Sequence, residues 1–457
     1  MSDFNTGEKT RREFLRDASI ITAGSAMAMA SIPAVFGAED NTIRIALVGC
    51  GGRGSGAVGD ALGINQGPVK LVAMADVFPD RLKGSYQALK DGFGAKIEVP
   101  EDQKFIGFDA YKKAIDCLRP GDIVIFATPP AFRWVHFTYA IEKGVNVFME
   151  KPISVDGPST RRMLKLGEEA MKKNLKVGVG LMCRHCETRK QLIDKLQAGL
   201  AGDILAMRAY RMHEPLGYFA SPPKPEGISE LMYQVQRFHS FLWAGGGNYS
   251  DFYIHHIDEC CWIKGGWPVS AEGLGGRHYR GDSIDQNLDT YSVEYTFADG
   301  AKLILDGRCM VGCKSAFASY AHGTKGLIVI SEGGHSPAHS RIYKGQNMRD
   351  DAIAWKFEGN EKNPYSLEWD DLFKAVRQNK TYNEVKRGAE ASLVTAMGRM
   401  AAHCGQTVTF DQALNYDFEL GKDLDKLTMT SAAPLLAGPD GKYPVPMPGM
   451  TKNLREF

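Results

Sequence analysis

The sequence predicts an α/β protein: a doubly wound parallel-sheet domain, then a second α/β domain with an open, mostly antiparallel sheet. Three observations carry this expectation. Short apolar runs of strand length alternate with helix-like stretches through the first half. The first run feeds a glycine cluster, Gly49-x-Gly51-x-x-Gly54. In the second half, Thr290–Phe297 alternates apolar and polar residues, turns at Ala298-Asp-Gly300 and returns through Lys302–Leu305 as a hairpin.

The chain has 457 residues, enough for two or three domains and a large core. Its 55 Lys+Arg balance 54 Asp+Glu with no long run of one sign, which argues against a nucleic-acid partner or a polybasic membrane surface. Nine cysteines, odd in number and scattered, do not suit a secreted disulfide scaffold, which is short and evenly paired. Cys183-x-x-Cys186 lacks the second pair that a structural zinc site needs, so these read as buried thiols.

Residues 1–40 read as a leader. Thr10-Arg11-Arg12-Glu13-Phe14-Leu15 precedes a weakly apolar, Ala/Ser/Gly-rich run to Ala30 that is too short to span a bilayer. This is the pattern of the twin-arginine export machinery, which moves folded proteins, and it places the mature protein in the periplasm or another extracytoplasmic space. Cleavage after Ala38 would put Phe36 at the third position back, so the leader is read either as removed or as retained as an anchor.

The first domain (41–182) is justified element by element. Ile43–Val48 reads as a strand buried on both faces, and Ser55–Leu62 as the helix after it. In the glycine cluster, Gly49 makes the tight turn, Gly51 lets backbone approach a pyrophosphate, and Gly54 lets helix pack on strand. The helix N-terminus presents free N–H groups to the phosphates. The next strand, Val69–Ala75, ends at Asp76, placed for ribose hydroxyls and repelling a 2′-phosphate; a Rossmann domain favouring NAD over NADP follows. Arg53 reads equally as a phosphate contact or a solvated loop arginine.

Strands Asp122–Thr128, Val145–Met149 and Lys176–Leu181 continue the alternation, with a helix over Trp134–Lys143. Because ligands sit beyond the carboxyl ends of such strands, Asp76, Thr128, Pro129, Glu150, Lys151 and Arg184 are expected to share one crevice.

On these residues the chain resembles the Gfo/Idh/MocA oxidoreductases. The likeness is carried by the fingerprint, Ala127-Thr128-Pro129-Pro130, His136 and Glu150-Lys151-Pro152, and by Gly245–Asp258, Trp262, Gly275-Gly-Arg277, Asp289, Gly323-Thr-Lys-Gly326 and Met397–Ala401. It covers nearly all of 41–410 and is greatest to the exported members. It implies a substrate and oligomerisation domain (183–410) whose sheet covers the nicotinamide, and dimers or tetramers built on that sheet. Residues 411–457 read as an extended arm lying on a neighbouring subunit.

The resemblance assigns Lys151, Asp251 and His255 to hydride chemistry. Asp251 and His255 are one helical turn apart, so with Ser250 or Asp251 as a cap the carboxylate would orient the imidazole that takes the substrate proton. Lys151 would steady the developing oxygen charge. His136 is implied as a cofactor contact; Tyr210, His213, Arg237, His239 and His256 are the remaining substrate-side expectations. No metal is required once NAD accepts the hydride. The expected activity is an NAD-dependent oxidation of a sugar, cyclitol or glycoside hydroxyl with a non-dissociating cofactor. The alternative is a redox-neutral glycosidase or lyase working through transient ring oxidation.

Overall fold

The computed structural model describes residues 41–278, 280–450 and 453–457. The segment expected to be an export leader, residues 1–40, lies outside the described residues.

Strands β1 (Ile43–Val48), β2 (Val69–Asp76), β3 (Lys104–Ile106), β4 (Ile123–Phe126), β5 (Asn146–Met149) and β6 (Val177–Val179) form a parallel sheet in the order β3-β2-β1-β4-β5-β6. This is the doubly wound order, and the strand sequence reverses direction between β1 and β4. The continuous apolar runs are explained by helices on both faces. Ile45 and Leu47 of β1 pack with Ala57, Leu82 and Trp369, whereas Ala46 and Val48 pack with Ala114, Phe137 and Met163. The helix Gly157–Lys172 begins at a capping box, Asp156 accepting the Ser159 N–H at 2.8 Å, an arrangement contributing roughly 1 kcal/mol.

A segment far along the chain returns to this sheet. The helix Pro364–Arg377, started by the Asn363 side chain and Pro364, brings fully buried Trp369 onto Phe148, ring centroids 4.3 Å apart.

The second sheet has nine strands: β7 (Ile204–His213), β8 (Ser270–Gly276), β9 (Thr290–Thr296), β10 (Lys302–Cys309), β11 (Ala316–Gly323), β12 (Leu327–Glu332), β13 (Arg341–Tyr343), β14 (Ile353–Lys356) and β15 (Val408–Thr409). Their order is β14-β13-β12-β11-β7-β10-β9-β8-β15. β7 and β10 are parallel and the other neighbours antiparallel, with β9 and β10 paired as the predicted hairpin. One face, including Met207, Val293 and Leu305, is buried beneath the helices Gly247–Lys264 and Val385–Cys404. The opposite face is polar and partly exposed, with Lys302 paired to Glu294 and Arg208 to Asp306.

The tail packs on its own chain. Tyr443 packs edge-on against Phe241, and Glu456 is buried between Arg399 (2.8 Å) and His403 (2.8 Å). A charge pair at this depth needs both members in place, so the tail is bound where Arg399 requires a carboxylate.

Candidate active site

β1 ends in the turn that the glycine spacing demands. Gly49 adopts φ +97°, and a Cβ there would sit 2.6 Å from the Ala127 carbonyl carbon. A Cβ on Gly54 would lie 2.0 Å from the Gly49 oxygen, so only glycine lets the helix Gly52–Gly63 close on the turn. Gly51 has nothing within 4 Å of its virtual Cβ and lines a cleft of about 660 Å³. No side chain caps this helix, leaving its first N–H groups for a bound anion. Asp76 closes the ribose end. Its Oδ2 accepts the Cys50 N–H at 2.6 Å and its Oδ1 the Phe78 N–H at 2.9 Å. Burial raises its carboxyl above the usual range, and these N–H groups offset part of the rise. The turn, the open face at Gly51 and the carboxylate at Asp76 together fit a dinucleotide.

Thr128, Pro129 and His136 line the same cleft. Thr128 Oγ1 accepts from Arg133 Nη1 (2.8 Å) and lies 3.3 Å from His136 Nδ1. Burial, helped by Arg133, pushes the His136 imidazole down to about 3, so it stays neutral. Arg53 lines the cleft; its Nε donates to Glu150 Oε1 at 2.6 Å, and its guanidinium lies 4.7 Å from the Tyr365 ring. Behind Glu150, both Glu368 oxygens are buried without a hydrogen bond, and burial and the Glu150 charge push that carboxyl well above its usual range.

The reacting end is assembled from both sheets. Lys151, just past β5, donates from Nζ to the Asp251 carbonyl oxygen (2.7 Å) and carboxylate Oδ1 (3.4 Å). Burial opposes ionisation of Asp251, but Lys151 and His239 outweigh it and hold the carboxyl well below its ordinary range. The helix carrying Asp251 starts at Gly247 behind a left-handed Gly246, so neither Ser250 nor Asp251 caps it.

Asp251 does not orient His255, which corrects the expected acid–histidine pair. Its Oδ2 lies 3.3 Å from His239 Nε2. His239 Nδ1 accepts the Tyr218 N–H at 3.2 Å, which leaves the ring proton on Nε2, directed at Asp251. His255 lines the cleft with Nδ1 buried and unbonded, its ring 4.5 Å from that of His335. Burial, Lys151 and Arg211 hold its imidazole well below its usual value, so it is neutral and able to take a proton.

Five further expectations fail, each for a physical reason. Arg184 is buried in an ion pair with Asp258 (2.7 Å) and does not line the cleft. Tyr210 points to the opposite face of β7 from Arg211, against Tyr320, because strand residues alternate sides. Arg237 is spent on Ser221 (2.5 Å) and the Ala220 carbonyl (2.8 Å). His256 is fully buried beneath the site, 2.9 Å from Ser319 Oγ. His213 likewise turns to the Glu214 carbonyl, 2.6 Å away. Sequence reasoning missed Arg133, Arg211, His335 and Glu368. For Arg211 the signal was present: a charged residue at an inward position of an alternating strand.

No family model matches the chain. It is 25% identical over 197 residues to the rhizopine catabolism protein MocA of Rhizobium meliloti, covering 43% of this chain and 55% of that protein. The chain thus spans about half the length of that curated relative. It is 24% identical over 293 residues to the inositol 2-dehydrogenase of Rhizobium meliloti (strain 1021), covering 63% of this chain and 75% of that protein. Among solved structures, myo-inositol 2-dehydrogenase from Lactobacillus plantarum aligns over 80% of this chain and 99% of its own, with TM-score 0.57 and 22% identity. Scyllo-inositol dehydrogenase from Lactobacillus casei, with bound NAD(H) and scyllo-inositol, covers 81% and 99%, with TM-score 0.59 and 21% identity. The relatives of this chain include inositol 2-dehydrogenases and the rhizopine catabolism protein MocA, and it shares the α/β fold of the solved inositol dehydrogenases.

Proposed function

We propose that this protein is an NAD-dependent oxidoreductase that oxidises a secondary hydroxyl of a sugar or cyclitol. The observation that carries the reading is one cleft running from the Gly49–Gly54 turn and Asp76 to Lys151, Asp251 and His255. The names of the relatives point to the same chemistry. When bound, NAD supplies the hydride acceptor.

Lys151 presents its ammonium to the substrate oxygen and steadies charge there, a role made stable by the Asp251 carboxylate behind it. Neutral His255 receives the hydroxyl proton. His239 holds the second Asp251 oxygen and so fixes the carboxylate toward Lys151.

The export leader supports a further element. An enzyme working outside the cytoplasm, away from the nicotinamide supply, keeps the cofactor with which it folded and turns over by oxidising one substrate and reducing another. A homo-oligomer built on the polar face of the second sheet belongs to the same proposal. The test is to denature purified mature protein and assay the supernatant for nicotinamide dinucleotide, then to follow nicotinamide absorbance in single turnover with a panel of sugars and cyclitols. Released NAD and reduction by at least one polyol are expected. Cofactor-free protein would remove the retained-cofactor element, and aglycone release from an aryl glycoside without net reduction would replace the dehydrogenase reading with the redox-neutral one.

A further inference from the structure

Five lysine and arginine side chains line the cleft, and four have polar partners: Arg53 with Glu150, Arg81 with the Gln236 carbonyl, Arg133 with Thr128, and Lys151 with Asp251. The fifth, Arg211, makes no hydrogen bond or ion pair among the described residues, and its Nε is buried without a partner. Its only close contact of note is the Phe317 ring across the sheet, 4.4 Å away and in register on β11. The guanidinium therefore faces the reacting end of the cleft beside His255 and His335. Arg211 is half-buried, and a cation partly withdrawn from water without a counter-charge is one that a binding site can pair with a ligand.

From this geometry we propose that Arg211 receives a carboxylate of the substrate, making the oxidised sugar or cyclitol an acid of the uronate class. The inference rests on the oxidoreductase reading of the same cleft and names its substrate class.

The charge at this end determines which anion fits. Lys151 and Asp251 compensate each other, and His239 accepts the Tyr218 N–H at Nδ1 with Nε2 toward Asp251. His255 and His335 are neutral, both pushed well down by burial. Of the cleft cations, Arg211 is the one without a hydrogen-bond or ion-pair partner among the described residues, and burial lowers its pKa in keeping with that. A carboxylate monoanion cancels its charge in a bidentate fork. A sugar phosphate carries about −1.5 to −2 at pH 7 and would leave negative charge uncompensated in the cleft.

The test compares matched probes on the holo-protein: glucuronate against glucose, galacturonate against galactose, and the corresponding 6-phosphates, read as kcat/KM for cofactor reduction. Uronates are expected to exceed their neutral partners by about 10–100-fold, the range of a hydrogen-bonded charge pair. Arg211→Gln is expected to erase that ratio while keeping the thermal shift caused by NAD. Arg211→Lys is expected to restore part of it, since charge survives but the fork does not. Equal turnover of uronates and neutral sugars by the wild-type protein overturns the carboxylate site and leaves the dehydrogenase reading standing. A preference for the 6-phosphates overturns the monoanion assignment. Oxidation of none of these probes, alongside oxidation of inositols, also overturns the inference, whereas oxidation of no polyol overturns the oxidoreductase reading beneath it.

Discussion

Asp251 Oδ2 stands 3.3 Å from His239 Nε2, while His255, one turn further along the same helix, makes no hydrogen bond to that carboxylate. The carboxylate thus couples the lysine after β5 to a histidine on a different segment. Asp251 and His239 position Lys151, and His255 acts from its own buried setting.

Removal of the lysine tests this arrangement most directly. Lys151→Ala is expected to slow hydride transfer by about 10²–10³-fold, the scale of losing one preorganised charge donor. Cofactor retention should persist, because Lys151 bonds to Asp251 and leaves the glycine turn untouched. Single-turnover rates alongside the NAD content of the purified variant check both halves.

The unequal roles of the two histidines predict different pH behaviour. Because the His255 imidazole is held well below its ordinary value of about 6.5, the base stays deprotonated as pH falls. The acid limb of kcat/KM is therefore expected below that pH, and His255→Asn should abolish it. His239→Gln should lower kcat yet leave the limb in place. An unshifted limb near the free imidazole value would contradict the neutral-base assignment.

Asp251 gives a stability prediction with a definite sign. Its folded-state carboxyl lies below the unfolded value of about 3.9, so its stabilisation is present above that pH and fades as pH falls through the lower folded value. The stability gap between wild type and Asp251→Asn should be constant from neutral to mildly acidic pH and narrow in stronger acid. Denaturant titrations across that window measure it.

The two loop glycines separate folding from cofactor binding. Gly54→Ala places a methyl 2.0 Å from the Gly49 oxygen and should destabilise the first domain. Gly51→Ala meets no protein atom within 4 Å, so its melting temperature without cofactor should match wild type. Its methyl occupies the phosphate approach, at a cost of ~1–3 kcal/mol, or about tenfold or more in NAD affinity. Calorimetry with and without NAD distinguishes the two variants.

Glu456→Gln tests the tail. Arg399 would be left with its charge deep in the core, costing about 3–5 kcal/mol of stability. A chemical-denaturation midpoint near wild type would show that the tail is dispensable.

Much of this site was readable from local pattern. The register of β1, the glycine turn and Asp76 follow from the constraints that a strand-to-helix turn places on consecutive residues, and Lys151 follows from the next strand end but one. The hairpin of β9 and β10 was legible for the same reason: a period of two and a tight turn are local signals. Arg184 and Tyr210 were misplaced because their surroundings come from distant segments. Arg184 meets Asp258, 74 residues away, and Tyr210 was a single residue out of phase with the cleft.

The sequence by itself therefore determined the nucleotide-binding half, the order of its strand ends and the lysine and aspartate that meet there, because each is dictated by neighbours along the chain. Only the tertiary structure decided which histidine Asp251 faces, which arginine lacks a counter-charge and where the tail returns. Those outcomes depend on burial and on partners brought together by packing, which no local spacing encodes.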